Sequence, residues 1–337
     1  MSIDRRDTIL KCIVEYFIKT AQPLGSKTLL EEYHLPYSSA TIRNEMFALE
    51  QMGLIEKTHL SSGRVPSSKG YRYYCEHLRE KSVSEELKQS LQQVLQNKTK
   101  SIEETIKASC EILSHMTSLV SVVLGPDEHE EKLANVQLVR IGDNIVTSVF
   151  VTDRGYVENK TFIVPENIKV DEVISCVKLL NDRLVGTPIS ELVDKMKALK
   201  PIISDYIVDH DMVYQAIMGA FLKFASDRLS LYGQDELFKH PEFTTDSEKL
   251  KKVLNLLSNS NAFKEIENSS DDSRGVKINI GDIDDNPEVS MVSAKVKIGE
   301  DENTIALVGP TRMDYEKALS ALEYLVNELN KYFDERK

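Results

Sequence analysis

Apolar residues recur at helical spacing in short segments through the start of the chain. Residues 4–20 are apolar along one face, which predicts an amphipathic helix that ends before Pro23. Ser26 is placed to begin a second short helix, and a turn at residues 35–37 leads to a third helix over residues 38–53. Short helices joined by a tight turn in this way are typical of a helix-turn-helix.

The third helix is amphipathic. Ile42, Met46 and Leu49 follow the i, i+4, i+7 spacing that places side chains on one face of a helix, so these three residues are predicted to be buried. Ser38 or Ser39 is placed to cap the N-terminus. The opposite face is then free to meet solvent or a partner.

A β-hairpin and a fourth helix are predicted next. Residues 54–66 combine a strand-like run with a turn, and we expect Arg64 at the tip of that turn. The fourth helix is capped by Ser67 or Ser68. Three helices, a hairpin and a further helix predict a winged helix-turn-helix over residues 1–80.

The remainder of the chain is predicted to mix strands and helices. Residues 81–100 are polar and helix-prone, as in a helical linker. Strand-like runs occur in residues 101–165 and again in residues 245–337, whereas residues 166–244 have a largely helical pattern. We therefore expect a multidomain α+β protein, in which a discontinuous domain (101–165 and 245–337) is interrupted by an inserted, largely helical domain.

One segment of that insertion, residues 211–225, is apolar on almost every side. A helix of this kind is usually buried. Two interpretations stay open: the helix belongs to an internal core, or it contacts a second subunit.

Charge separates the first eighty residues from the rest. The chain of 337 residues has a formal net charge of −12, but residues 1–80 carry 11 basic and 10 acidic residues. Residues 57–79 hold five basic side chains and one acidic residue, Glu76. A basic patch on an acidic protein is a candidate electrostatic footprint for nucleic acid.

Several classes of protein are disfavoured by the sequence. The chain has no run of 18 apolar residues, which argues against a membrane protein. Its four cysteines lie far apart without a CxxC pair, which favours a reducing cytoplasm. No GxGxxG, GxxxxGK[ST], HExxH or GxSxG motif occurs, and the seven histidines lack metal-ligand spacing. We expect no catalytic residues, no metal and no cofactor.

The outer face of the third helix is a candidate for reading DNA. Arg43 can pair with guanine and Asn44 with adenine in a major groove, and Ala40 can meet a thymine methyl. Six further residues are expected to bind phosphate, three at the helix N-terminus and three around the hairpin: Ser38, Ser39, Thr41, Arg64, Lys69 and Arg72. For Arg64 a contact in the minor groove is the alternative. Phe47 is exposed on the helical wheel, and packing against the first helix is expected in preference to a base contact.

Two stretches resemble a known family, the bacterial heat-inducible transcription repressor HrcA. They are PLGSKTLLEEYHLPYSSATIRNEMFALEQMGLIEKTHLSSGRVPSSKGYRYY (23–74) and VGPTRMDY (308–315). The resemblance implies a GAF-like domain that carries an inserted dimerisation domain. It also implies a homodimer that binds an inverted-repeat operator of the CIRCE type on double-stranded DNA, and a GroEL-type chaperonin that keeps the repressor active.

An alternative function also fits the pattern. A winged-helix regulator could respond to a small molecule bound by the GAF-like domain.

The second matching stretch also has a structural interpretation. Within it, Gly309 and Pro310 end a strand, and Arg312 is placed to pair across a domain interface.

Overall fold

A computed structural model describes most of the chain. The residues described are 4–57, 63–97, 100–125, 131–153, 155, 157–166, 168–201, 214–215, 218–219, 229–258, 263, 275–281, 283, 286–298 and 301–334. The chain forms two compact units, one from Met1–Leu124 with Leu231–Lys337 and one from Gly125–Ser230. It is an α+β multidomain protein, as the sequence predicts.

The first unit begins with three helices, α1 (Arg5–Thr20), α2 (Ser26–Tyr33) and α3 (Ser39–Gln51). The predicted apolar face of α3 is confirmed: its buried residues are Ile42, Met46 and Leu49. Ser38 is the cap, since its hydroxyl accepts a hydrogen bond of 3.1 Å from the backbone N–H of Thr41.

A two-stranded hairpin and a fourth helix follow α3. Strand β1 (Ile55–Lys57) pairs antiparallel with β2 (Arg64–Pro66). Helix α4 (Ser68–Tyr73) is capped by Ser67 and continues into a π-helical turn, Tyr74–Leu78. The element order is therefore the one predicted for residues 1–80.

The sheet of the first unit has five strands in the order β7-β3-β10-β9-β8. These strands are β3 (Val120–Leu124), β7 (Leu229–Tyr232), β8 (Val276–Ile280), β9 (Val289–Ile298) and β10 (Asp301–Pro310). Helices α5 (Glu85–Gln96) and α6 (Ile102–Thr117) precede the sheet in the chain, and α11 (Tyr315–Asp334) follows it. Between β7 and β8 lie a 3-10 helix (Gln234–Lys239), α9 (Pro241–Thr244) and α10 (Ser247–Leu257).

One continuous cluster of buried apolar residues joins the N-terminal helices to this sheet. The cluster extends from Ile9 of α1 through Tyr71 of α4 to Phe333 of α11. It includes Leu87 and Leu91 of α5, so the segment predicted as a linker forms a helix that is packed into the core. The N-terminal helices and the five-stranded sheet therefore share one core.

The described residues of the second unit include a three-stranded antiparallel sheet, and helices follow that sheet in the chain. Its strands, in the order β4-β5-β6, are β4 (Leu133–Arg140), β5 (Ile145–Thr152) and β6 (Val157–Ile163). Helix α7 (Val170–Leu184) packs on β4, and α8 (Ile189–Ala198) follows it. Of the apolar segment 211–225, Tyr214 and Met218 are buried in the core of this unit. Apart from residues 214, 215, 218 and 219, the helix predicted over 211–225 lies outside the described residues.

The predicted domain boundaries differ from these units. Strands β4–β6 belong to the second unit, although they fall within the segment assigned to the interrupted domain (101–165). Conversely, β7 falls within the segment predicted to be helical (166–244) but pairs in the five-stranded sheet. The reason is that hydrogen-bond pairing between distant strands decides sheet membership, and a local apolar pattern does not encode it.

Candidate nucleic-acid interface

The side of α3 that faces away from the core presents five exposed residues. They follow i, i+3, i+4, i+7, i+11 spacing and are Ala40, Arg43, Asn44, Phe47 and Gln51. Residues at these intervals form one continuous stripe on a helix. The stripe includes all three residues that the sequence predicted to contact bases.

The N-terminus of α3 is ordered by its cap. Besides accepting from the Thr41 N–H, the Ser38 hydroxyl lies 2.9 Å from the Thr41 hydroxyl. Ser38 is exposed, while Ser39 and Thr41 are half-buried. The remaining N–H groups of a helix N-terminus favour an anion such as a phosphate. The structure thus brings the three residues predicted to bind phosphate here to one end of the stripe.

A hydrogen bond to the neighbouring helix restrains the Arg43 side chain. Its Nε donates a hydrogen bond of 3.4 Å to the hydroxyl of Ser26, the first residue of α2. The Arg43 residue remains exposed. This contact limits the positions that the Arg43 side chain can adopt, and sequence reasoning did not identify Ser26.

The two acidic residues of α3 are both paired with arginine. Glu45 accepts a 3.0 Å hydrogen bond from Nε of Arg6. Glu50 accepts hydrogen bonds of 3.1 Å and 2.8 Å from Nε and Nη2 of Arg64. Because an arginine neutralises each of these carboxylates, α3 presents little negative potential to an approaching polyanion.

Arg64 does not lie where the sequence placed it. The structure puts it in β2, opposite Lys57 of β1, and not at the tip of the hairpin turn. Its side chain is only 14% exposed because Glu50 holds it. The predicted tip position was wrong because strand pairing continues as far as Arg64. The contact ties the hairpin to the C-terminal half of α3.

The other two basic residues predicted near the hairpin lie on α4. Lys69 is exposed and donates from Nζ to the backbone carbonyl of Met52, at 2.9 Å, just beyond the end of α3. Arg72 is exposed one turn further along α4. Arg64 and Lys69 are thus joined by side-chain contacts to the C-terminal end of α3.

Phe47 contradicts the expectation that it packs against α1. It is 61% exposed and is not part of the hydrophobic cluster that includes α1. Met46 and Leu49 fill the buried side of the helix instead. The helical wheel indicated exposure, and the chemical preference of an aromatic ring for burial misled the prediction.

Arg312 connects α1 with the region around the sheet; the partners of its side chain lie in the same compact unit, whereas the sequence placed it at a domain interface. Its Nη1 donates to the backbone carbonyl of Ile18 at 2.8 Å, and its Nε donates to Glu242 of α9. The ring of Tyr71 lies nearby against that of Tyr315, with centroids 5.2 Å apart. These contacts join α1 and α4 to α9 and to the start of α11.

A second group of polar contacts lies between α1, the end of α4 and α11. The Tyr74 hydroxyl donates to Glu316 at 3.1 Å, and Arg79 pairs with Glu323. Burial lowers the pKa of Lys11, but its hydrogen bond to Glu80 and nearby carboxylates outweigh this and raise it overall. Lys11 therefore remains charged in this cluster.

The described residues contain neither a candidate metal-ligand cluster nor a helix that could span a membrane. Among them, no group of three or more His, Cys, Asp or Glu side chains could hold a metal ion. Within the same residues, no helix is both long and apolar enough to cross a bilayer.

Comparison with solved structures supports the fold. A crystal structure of a protein described as hypothetical, at 2.2 Å resolution, matches with a TM-score of 0.60 and 24% sequence identity. The match covers 99% of this chain and 99% of that chain. The likeness extends over the whole α+β architecture.

Curated relatives define the class of this chain as a transcription repressor. Two proteins named heat-inducible transcription repressor HrcA are similar to it over nearly the whole length. The one from Bacillus pumilus (strain SAFR-032) is 36% identical, covering 99% of this chain and 100% of its own. The one from Halalkalibacterium halodurans is 34% identical, with coverage of 98% and 97%. The family model described as HrcA protein C terminal domain matches residues 103–319. The chain belongs to the HrcA family of heat-inducible transcription repressors.

Proposed function

We propose that this chain represses chaperone operons in the cytoplasm by binding an inverted-repeat DNA operator through α3. The observation that carries the proposal is the exposed pair Arg43 and Asn44, held on the face opposite the buried stripe of α3. Arginine pairs with guanine and asparagine with adenine in a major groove. In this role Ala40 meets a thymine methyl.

Phosphate contacts position the helix in the groove. Ser38, Ser39 and Thr41 supply hydroxyls at the α3 N-terminus, and Lys69 and Arg72 supply charge from α4. Phosphate contacts carry no sequence information, but they fix register and orientation. The role of Arg64 is revised: it orients the hairpin through Glu50, because its guanidinium is already engaged there.

The operator is an inverted repeat because the repressor acts as a homodimer. One helix in one groove makes a small interface, whereas two copies related by a twofold axis read two half-sites. The resemblance to HrcA supports dimerisation through the inserted unit, a CIRCE-type operator and maintenance of the active form by a GroEL-type chaperonin.

Sensing of a metabolite is the weaker candidate. A cleft of about 420 Å³ in the first unit is lined by residues of α5, α6 and α11. Its carboxylates already have partners: Asp314 accepts from the N–H of Lys317, and Glu316 accepts from Tyr74. A pocket built for a polar ligand keeps convergent groups available to it.

Fluorescence anisotropy with labelled duplexes tests the proposal. We compare the full chain with Arg43→Ala on an inverted-repeat operator and on a panel in which each base pair of a half-site is changed. Arg43→Ala should cost about 1–3 kcal/mol on the parent operator and abolish discrimination at one position. Lys107→Ala, which removes an exposed charge from α6, is the matched control and should bind like the parent. An Arg43→Ala profile identical to the parent across the panel would refute the assignment.

A further inference from the structure

Phe47 exposes an aromatic ring on the candidate DNA-binding face of α3. The residue is 61% exposed, and Arg43 and Asn44 precede it by one helical turn on the same stripe. Burying a phenylalanine side chain is favourable in free energy, and the folded chain forgoes much of this gain. Because Phe47 lies beside the two candidate base-reading residues, we expect its ring to be buried when α3 binds DNA.

The spacing of the stripe fits a helix that lies in a major groove. Helices that read DNA in this way can use positions i, i+3, i+4 and i+7, the pattern of Ala40, Arg43, Asn44 and Phe47. At 1.5 Å per residue, Phe47 lies about 10 Å along the axis from Ala40. That distance corresponds to roughly three base-pair steps of duplex. Phe47 can therefore meet a base at the opposite end of the contacted region from Ala40.

The chemistry of the groove restricts what a phenyl ring can contact there. Major-groove base edges present hydrogen-bond donors and acceptors, together with one apolar group, the C5 methyl of thymine. A phenyl ring has no hydrogen-bonding atom, so the methyl is its complementary target. Local charge is compatible with DNA at this face, because Glu45 and Glu50 of the same helix are each paired with arginine.

We propose that Phe47 is a specificity-determining residue that packs against a thymine C5 methyl in each operator half-site. The inference rests on the proposed function and deepens it by identifying one base and the group that reads it. It predicts a requirement for the thymine methyl group that neither Arg43 nor Asn44 can impose, because those side chains bond to purine edges.

Replacing thymine with deoxyuridine removes the methyl and leaves the hydrogen-bonding edge unchanged. We substitute each thymine of both half-sites in turn and measure the dissociation constants of the parent chain and of Phe47→Ala. At one position the substitution should weaken the parent by about four-fold per half-site, the effect of one buried methyl-sized group. The same substitution should leave Phe47→Ala unaffected. A thymine read by Ala40 should respond equally in both proteins.

Phe238→Ala provides the control, since Phe238 is also 61% exposed but lies in the 3-10 helix outside α3. It should show the parent's deoxyuridine profile. Equal losses for parent and Phe47→Ala at every thymine would overturn the inference, as would a change of oligomeric state in Phe47→Ala with an unchanged profile. If the parent itself binds scrambled duplex as tightly as the inverted repeat, the proposed function fails, which is a separate result.

Discussion

Arg64 donates two hydrogen bonds from its guanidinium to a single carboxylate oxygen of Glu50, at 3.1 Å and 2.8 Å. The pair joins β2 to α3 across 14 positions of sequence, and Lys57 lies 3.7 Å from the other oxygen of Glu50. The side chains of Arg64 and Glu50 are only 14% and 21% exposed. Hairpin and helix are therefore held together by a largely desolvated contact.

Arg64→Ala should lower the free energy of unfolding by about 2 kcal/mol, because hydrogen bonds to charged groups are worth that much and Glu50 loses its main partner. Urea denaturation of Arg64→Ala, Glu50→Ala and the double variant measures the interaction. The double variant should be less destabilised than the sum of the single variants. Strict additivity would show that the pair does not stabilise the fold.

The salt dependence of DNA binding should distinguish Arg64 from Arg72. Arg72 is exposed on α4, so Arg72→Ala should weaken binding to all sequences and reduce the slope of log affinity against log salt by about one. Arg64→Ala should leave the slope unchanged, because its charge is already opposed by Glu50. Equal reductions in both variants would return Arg64 to the set of direct phosphate contacts.

Gly70 is required by close packing of α4 on the start of the hairpin. A Cβ at this buried position would lie 1.9 Å from the backbone carbonyl oxygen of Leu54. Gly70→Ala should therefore lower the free energy of unfolding by about 1–3 kcal/mol, measured by urea denaturation. Gly142→Ala is the control, since its nearest contact, Ile145, lies at an ordinary 3.7 Å. Equal stability of the two variants would contradict this packing.

Removal of Arg312 should loosen α1 selectively. Arg312→Ala deletes the hydrogen bond to the Ile18 carbonyl and leaves Glu242 without its cation. Hydrogen exchange should quicken in the last turn of α1 while amides of α7 keep their protection, because α7 belongs to the other compact unit. Arg140→Ala, which breaks an exposed pair with Asp171, should change nothing in α1. Unchanged exchange in α1 after Arg312→Ala would exclude an anchoring role.

The four buried cysteines predict a loss of stability at alkaline pH. Burial raises the pKa of Cys110 and Cys75 to about 12, and that of Cys12 and Cys176 to about 11. A raised pKa in the folded state stabilises the fold fully below the ordinary thiol pKa of 9.0, and this stabilisation is lost progressively as pH rises from there through 11–12.

Thermal melts between pH 8 and pH 11 measure the effect, and Cys110→Ala should show a shallower decline than the parent. Iodoacetamide at pH 8 should alkylate none of the four thiols until the chain unfolds. Rapid alkylation of the folded chain would contradict their burial.

Local features of the fold were predictable because local chemistry determines them. The buried stripe of α3 follows from helical periodicity, and the Ser38 cap from the hydrogen-bonding capacity of serine. The exposed positions of Arg43 and Asn44 follow from the same wheel. Helix α3 and its cap supply six of the nine candidate site residues.

Long-range features were not predictable in the same way. Arg64 was placed at a turn because its partner Glu50 and its register with Lys57 are invisible in a local pattern. Strand β5 alternates between buried and half-buried or exposed residues, as expected for a sheet covered on one face, whereas every residue of β3 is buried. That contrast could have separated the two sheets.

Titration of the full chain against an inverted-repeat duplex at 50 mM and 200 mM salt tests DNA binding most directly. A scrambled duplex serves as the control, and light scattering counts the chains bound to each duplex. We predict two chains per inverted repeat, a clear preference over the scrambled sequence, and affinity that falls steeply between the two salt concentrations. A single chain that binds both duplexes equally, or an affinity insensitive to salt, would contradict the assignment of α3 as the DNA-reading helix of a dimeric repressor.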